Sequence, residues 1–320
     1  MRPLALGVDL GGTNARAAAV DASTGEIVAA HKEPVRERSP ERVVEVVAHA
    51  LREAASAAGI ALAGAGRVGV GVAGQCLGTT GVVLNAPNLG WRDIPFGDLL
   101  SAALSLPVKV ANDLAVAAWG EKKFGAAKGL DEVVLVFVGT GVGSGMIVRG
   151  RLHDGATGVA GEFGHVKVTP TRPETKRRRC GCGEWGCLEA YSSGMNVSAR
   201  VREELAAGAR TAVRELAGGD LSRVNPSLVE AAHRAGDAYA VALWEEVGDL
   251  LGTAIANLVT ILNPARLILG GGMLLGCPAL EAVVRRRFDE AVSRSALRGF
   301  SVEHAWLGDD AGVVGAALLE

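Results

Sequence analysis

The sequence is short of aromatic residues, of net charge and of long apolar runs, and each shortage removes a class of function. Aromatic side chains fill 4% of 320 positions while 49% are hydrophobic, so the interior must be mainly aliphatic. That length can bury one large core or two ordinary ones, and two domains are expected. The 33 basic and 35 acidic residues leave a net charge of −2, which supplies no general attraction to nucleic acid or to an anionic membrane. Small molecules are the expected partners. The first residues, up to Asp9, hold too short an apolar stretch for a signal peptide. The most apolar long segment, 250–262, contains Asn257 and follows Glu245, Glu246 and Asp249. It falls short of the roughly 20 apolar residues of a membrane span and reads as a buried core helix. A cytoplasmic protein is expected. No Walker A loop is present, and the first glycines have the wrong spacing for a Rossmann fingerprint.

Cysteines number five, an odd count, and Cys180, Cys182 and Cys187 crowd into eight residues where mutual disulfides would be strained. In a reducing compartment such crowding favours a metal over disulfides.

What is there is an alternation of strands and helices. Apolar residues at 4–8, 15–20 and 27–30, broken by Gly11-Gly12 and by Ser23 to Gly25, predict a three-stranded meander. Val43, Val47, Ala50, Leu51 and Ala54 follow one face of a helix ending near Gly59. Strands are predicted at 68–72, 82–84 and 108–110, with a short helix from Phe96 and a strand end at Asn112-Asp113. A second strand, turn and strand follow at 133–138, Gly139 to Gly143 and 146–148. Beyond 194 the pattern is mostly helical until a strand at 266–269, which ends in Gly270-Gly271-Gly272. The last helix is expected near Asp310 and carries Gly312, Gly315 and Ala316, small enough for close packing.

The glycine turns suggest phosphate binding. A strand ending in Asp9, followed by Gly11, Gly12, Thr13 and Asn14, can expose backbone N–H groups where missing Cβ atoms let phosphate oxygens approach. Asp9 could then hold Mg2+ through water. An ordinary hairpin turn is the competing reading. Gly139-Thr140-Gly141 offers a second donor-rich turn, and Gly271 and Gly272 could let adenine and ribose lie against bare backbone.

Residues 160–190 are the most informative. Cys180, Cys182, Cys187 and His165 make a complete tetrahedral set, and thiolates with imidazole suit Zn2+ better than Mg2+ or Ca2+. With four protein ligands the zinc would be structural, clamping a loop on which Glu162 and Glu189 converge. Three free thiols and a core histidine form the alternative. The run Lys176 to Arg179 reads as a solvated loop tip.

Together, D9-L-G-G-T, P87-N-L, N112-D113, G161-E-F-G-H165 and C180-G-C-G-E-W-G-C-L-E189 resemble the ROK family of bacterial sugar kinases and repressors, especially its glucokinases. The resemblance spans nearly the whole chain. It implies an actin-like, ribonuclease-H-like pair of α/β domains around an interdomain cleft, with ATP and Mg2+ on one side and sugar at the bottom. The boundaries implied are a smaller domain over 1–113, joined by the C-terminal helix at about 308–320, and a larger one over 114–307 with the zinc loop. The family pattern places Asp113 as catalytic base and Gly74, Asn88, Asn112, Glu162, His165 and Glu189 at the sugar. His165, Cys180, Cys182 and Cys187 match its zinc ligands, and one imidazole can serve both metal and sugar. A homodimer or homotetramer is implied by the resemblance alone. The chain departs from the pattern at Ala73-Gly74-Gln75-Cys76, where Pro-Gly is usual, and in a longer, more basic loop before Cys180. Cys76 and Cys277 match no motif.

The function implied is transfer of the γ-phosphoryl group of ATP to the hydroxymethyl oxygen of a hexose, glucose first. An N-acetylglucosamine or N-acetylmannosamine kinase is the runner-up. A catalytically silent sugar sensor is the non-enzyme alternative, opposed by intact Asp9, Gly12, Thr13 and Asp113. A repressor would need a helix-turn-helix domain ahead of the phosphate turn, and Asp9 leaves no room for one. Asn112 or Asp113 could also cap the helix that follows.

Overall fold

The strands Leu4–Leu10 and Asn14–Asp21 are mostly apolar and buried, which suits a sheet covered on both faces. The computed structural model describes residues 2–172 and 175–319. Strands Ile27–Pro34, Asn14–Asp21, Leu4–Leu10, Val68–Val72 and Val108–Asn112 lie side by side in that order. The first three form the antiparallel meander, and Leu4–Leu10, Val68–Val72 and Val108–Asn112 run parallel. All three parallel strands therefore carry their C-terminal ends, and the turns that follow, to one edge of the sheet.

One face of this sheet is covered by the helix Pro40–Ala57, whose Val43, Val47, Ala50, Leu51 and Ala54 are fully buried with Leu6, Val8, Val70 and Phe96. Those five positions are the ones the 3.6-residue period picks out. The other face carries the helix Ala311–Ala317, with Val313, Val314 and Ala317 against Ala18 and Val20. Its approach is unusually close. A Cβ on Gly7 would lie 2.3 Å from the Val313 carbonyl oxygen, and one on Gly69 would lie 1.8 Å from that of Ala316. Strand glycines, which normally weaken a sheet, here let a helix backbone rest on it. The helix Asp113–Phe124 packs on the same last helix at another glycine pair, Gly120 and Gly315.

A second five-stranded sheet has the order Arg151–Leu152, Val142–Val148, Val133–Val138, Arg266–Gly270 and Ser301–His304. A small antiparallel sheet joins Gln75–Leu77, Val82–Ala86 and Trp91–Ile94. The first and last of its strands are too short for alternation to reveal. The 25-residue helix Ala238–Leu262 is the predicted core helix, extended N-terminally and buried along one face. Among the described residues no helix is long and apolar enough to cross a membrane.

The chain divides into two compact units. One runs to Leu135, includes Gly145–Gly161 and resumes at Ala305; the other holds Val136–Ser144 and Glu162–His304.

Candidate active site and metal centre

In the first unit the site residues gather where strands end. The Gly11 N–H donates to the Asn14 carbonyl at 3.0 Å, closing the turn after Leu4–Leu10. A Cβ on Gly12 would come within 2.7 Å of the Asn88 Cβ, so the phosphate-type turn abuts a residue expected at the sugar. Asp9 is partly buried, and burial pushes its carboxyl above the usual carboxylate range; Arg16 opposes the shift and Asp309 adds to it. Arg16 itself pairs with the Asp310 carboxylate at 2.5 Å and donates to the Asp309 carbonyl at 3.1 Å. A carboxylate held at a cost in solvation is suited to receive a cation.

Asn112 and Asp113 sit at the end of Val108–Asn112 and the start of Asp113–Phe124. Asn112 is the cap: its Oδ1 accepts from the N–H groups of Leu114 at 2.9 Å and Ala115 at 3.1 Å. Its amide nitrogen donates to the Gly74 carbonyl at 3.0 Å, so Gly74, Asn112 and Asp113 form one local group. That leaves a single Asn112 amide hydrogen for a ligand. Asp113 Oδ1 accepts from the Leu114 N–H at 2.9 Å.

The second unit holds the other predicted residues. The Gly139 N–H donates to the Gly141 carbonyl at 2.9 Å, and the Gly139 carbonyl accepts from Gly194 at 2.8 Å. Gly271 has φ +92°, and a Cβ there would lie 2.5 Å from the Val138 carbonyl oxygen. The Gly271-Gly272 turn therefore touches the strand that feeds Gly139-Thr140-Gly141, and only glycine fits the contact.

The sulfur cluster lies beside them. His165, Cys180, Cys182 and Cys187 place one donor atom each within 4.8 Å of one another. Cys182 and Cys187 Sγ are 3.8 Å apart, and Cys180 Sγ is 3.7 Å from His165 Nδ1. A tetrahedron with Zn–S bonds of about 2.3 Å has edges of about 3.8 Å, so these separations fit zinc. None of the five cysteines is in a disulfide. Burial pushes the Cys180 thiol up to about 12, a group that a divalent cation would have to deprotonate on binding. Lys167, which sequence reasoning passed over, reaches Cys187 Sγ at 3.1 Å and pairs with Glu184. Its signal was its place two residues after His165 in an extended segment, bridged to Cys187. The basic run is exposed at Lys176, Arg177 and Arg179, as expected of a solvated loop; Arg178 departs from it, half-buried and ion-paired with Glu203 at 3.0 Å, and Arg179 donates to the Gly183 carbonyl.

The two histidine nitrogens have separate tasks. Nδ1 faces Cys180, while Nε2 is 3.4 Å from Glu162 Oε2. Glu189 joins two sites: Oε1 lies 3.7 Å from Cys180 Sγ, and Oε2 accepts from the Val142 N–H at 3.0 Å. A carboxylate beside the metal loop is thus hydrogen-bonded to the residue after the second phosphate-type turn. Gly164 strengthens the link, since a Cβ there would lie 2.1 Å from the Val142 carbonyl oxygen.

A mixed α/β protein with strand-end glycine turns, an Asn-Asp helix cap and a Cys3His cluster flanked by carboxylates belongs to a class defined by comparison with known proteins. The model of the ROK family matches residues 5–320, and the chain belongs to that family. It is 35% identical over 320 residues to a glucokinase of Streptomyces coelicolor, covering 98% of this chain and 96% of that one. It is 28% identical over 318 residues to an N-acetyl-D-glucosamine kinase of Pectobacterium atrosepticum, covering 98% and 97%. Among solved structures, a ROK family glucokinase from Streptomyces griseus, crystallised with glucose and AMPPNP, superimposes with a TM-score of 0.79 at 34% identity, covering 98% of each chain. The fold is that of the actin-like two-domain sugar kinases.

Proposed function

We propose that this protein is an ATP-dependent hexose kinase that phosphorylates the hydroxymethyl oxygen of glucose. The observation that carries the reading is the double attachment of Glu189, which stands with Glu162 and His165 at the metal loop and hydrogen-bonds the Val142 N–H beside Gly139-Thr140-Gly141. Groups suited to reading sugar hydroxyls and a turn suited to phosphate are thereby tied together within one unit. Full-length likeness to glucokinases supports the same substrate class.

A sugar hydroxyl is a weak nucleophile, so the residues must align it and take its proton. Asp113 is the proposed base. Its carboxylate accepts the hydroxyl proton as that oxygen attacks the γ-phosphorus in line and the bond to ADP breaks. Glu162, His165 Nε2, Glu189, Asn88 and the remaining Asn112 amide hydrogen orient the ring, with Gly74 fixing Asn112. Asp9, the amides of Gly11 to Asn14 and of Gly139 to Gly141, and the Gly271-Gly272 turn receive the nucleotide. Mg2+ bound with ATP would neutralise phosphate charge, with Asp9 as its protein-side carboxylate. His165, Cys180, Cys182 and Cys187 hold a structural Zn2+, whose contribution is to keep the Glu162 and His165 loop in place.

The second reading, an N-acetylhexosamine kinase, is favoured by full-length likeness to the Pectobacterium enzyme. A coupled ADP-release assay with Mg-ATP across glucose, mannose, fructose, allose, N-acetylglucosamine and N-acetylmannosamine separates the two. Highest kcat/KM on glucose supports the proposal, preference for an acetylated sugar selects the alternative, and no sugar-dependent ADP release favours a silent sensor.

A further inference from the structure

The first unit carries a second cluster of metal-type donors, formed by residues to which the sequence motifs assign nothing. His31 and Glu33 lie two residues apart on the outer strand Ile27–Pro34, so their side chains share one face. His49 projects from the helix Pro40–Ala57, which packs against that strand. Both imidazoles aim Nε2 at the same carboxylate oxygen: His31 lies 2.9 Å from Glu33 Oε2 and His49 lies 3.7 Å from it. The two rings stand edge to face, with centroids 5.7 Å apart. One donor atom from each of the three residues falls within 4.8 Å of the other two.

At 2.9 Å the His31 ring is within hydrogen-bond reach of Glu33 Oε2, whereas the His49 ring, at 3.7 Å, points at the same oxygen from beyond that reach. A single divalent cation set among the three can accept a lone pair from each neutral ring and one from the carboxylate, which accounts for both rings facing that oxygen. Metal–nitrogen and metal–oxygen bonds of about 2.1 Å place neighbouring donors about 3.0 Å apart in an octahedron and about 3.4 Å apart in a tetrahedron. The observed 2.9 and 3.7 Å lie around those values. Two imidazoles and one carboxylate, with no sulfur, suit nickel, copper, zinc or cobalt rather than magnesium or calcium.

The geometry points to a surface site for a divalent transition cation at His31, Glu33 and His49, distinct from the cysteine cluster. Three protein ligands leave coordination positions for water, so the ion would exchange with solvent. Arg36 contributes positive charge near Glu33, which keeps the affinity modest. Beyond Glu33 the chain continues to Val35, whose N–H donates to the Thr13 carbonyl at 2.8 Å. The site therefore lies on the segment that supports the Gly11 to Thr13 turn.

The test is a calorimetric and optical titration of the full-length, zinc-loaded protein with Ni2+. Ion entering the cysteine cluster produces a thiolate-to-metal charge-transfer band; ion at the proposed site does not. The expected result is one saturable equivalent without that band, lost in the His31→Ala, His49→Ala double variant and weakened at least about tenfold in Glu33→Gln. Glu33→Gln, which keeps the side-chain shape, also serves if the double variant folds poorly. The proposal is overturned if the wild type binds no band-free equivalent, or if Glu33→Gln and the double variant bind Ni2+ as the wild type does.

Discussion

Single residues here stand in environments that their type alone does not reveal. Glu121 is followed by Lys122 and Lys123 in a helix and reads as a surface residue. It is fully buried, with Oε2 accepting from the Ala126 N–H at 2.7 Å and Oε1 from the Leu307 N–H at 2.8 Å. Its burial is tolerable because both oxygens are satisfied. Asp9 is the opposite case. Because burial raises its pKa above the unfolded value, the folded state holds the proton more tightly, and the cost of ionising Asp9 appears as pH rises through its folded pKa. Asp9→Asn should therefore be more stable than the wild type near pH 7, with the difference vanishing below about pH 4, the ordinary carboxylate range, while turnover collapses. Urea melts across that pH range, paired with ADP-release rates, measure both; unchanged stability at pH 7 would separate Asp9 from this trade-off. Asp113→Asn should reduce kcat by about 10²- to 10⁴-fold and leave the sugar KM nearly unchanged. Steady-state kinetics at saturating Mg-ATP decide this, and near-normal kcat would remove Asp113 from the base role.

At the scale of elements, the proposed zinc loop is the part whose stability the bound ion would carry. Among its described residues the backbone has little regular structure: the Phe163–His165 turn, the bridges Lys167–Cys187 and Arg179–Trp185 and the four-residue helix Glu189–Ser192 surround the cysteines. Structural zinc contributes folding energy directly in such loops. Chelation, or Cys182→Ser, should release one zinc per chain, lower the melting temperature and raise the sugar KM more than it lowers kcat. Because Glu189 is bonded to Val142, the ATP KM should rise as well. Metal analysis with differential scanning fluorimetry and two-substrate kinetics tests this, and full zinc occupancy in Cys182→Ser would refute the ligand set.

For the whole molecule, ligand linkage supplies the test. A ligand that binds only the folded state stabilises it by about 2.7 kcal/mol at a concentration 100 times its Kd. Saturating glucose should therefore raise the melting temperature by several degrees, while a hexose that is no substrate leaves it unmoved. A shift with an N-acetylhexosamine but none with glucose would overturn the assignment of glucose.

Much of the local structure is legible in the chain. The helix Pro40–Ala57 and the strands of the meander follow from apolar periods of 3.6 and from glycine breaks, because both signals arise from neighbours in sequence. The Cys3His set is legible for the same reason: three of its four ligands fall within eight residues, where spacing limits geometry. The strand Val142–Val148 begins four residues before its apolar part, because its glycines and serine are buried by packing rather than by their own hydrophobicity. Only the tertiary structure decides which side chains share an oxygen or a surface. Glu246 marks the long helix as interrupted by charge, yet it is buried and paired with Arg200 at 2.9 Å. Glu189 meets Val142 across 47 residues of chain, and His49 meets Glu33 from a different element. Such pairings depend on how strands and helices stack, which no local period encodes. The sequence by itself determined the family, the glycine turns and the candidate metal ligands, since these rest on short motifs. The fold alone decided that a carboxylate at the metal loop also grips a phosphate-type turn.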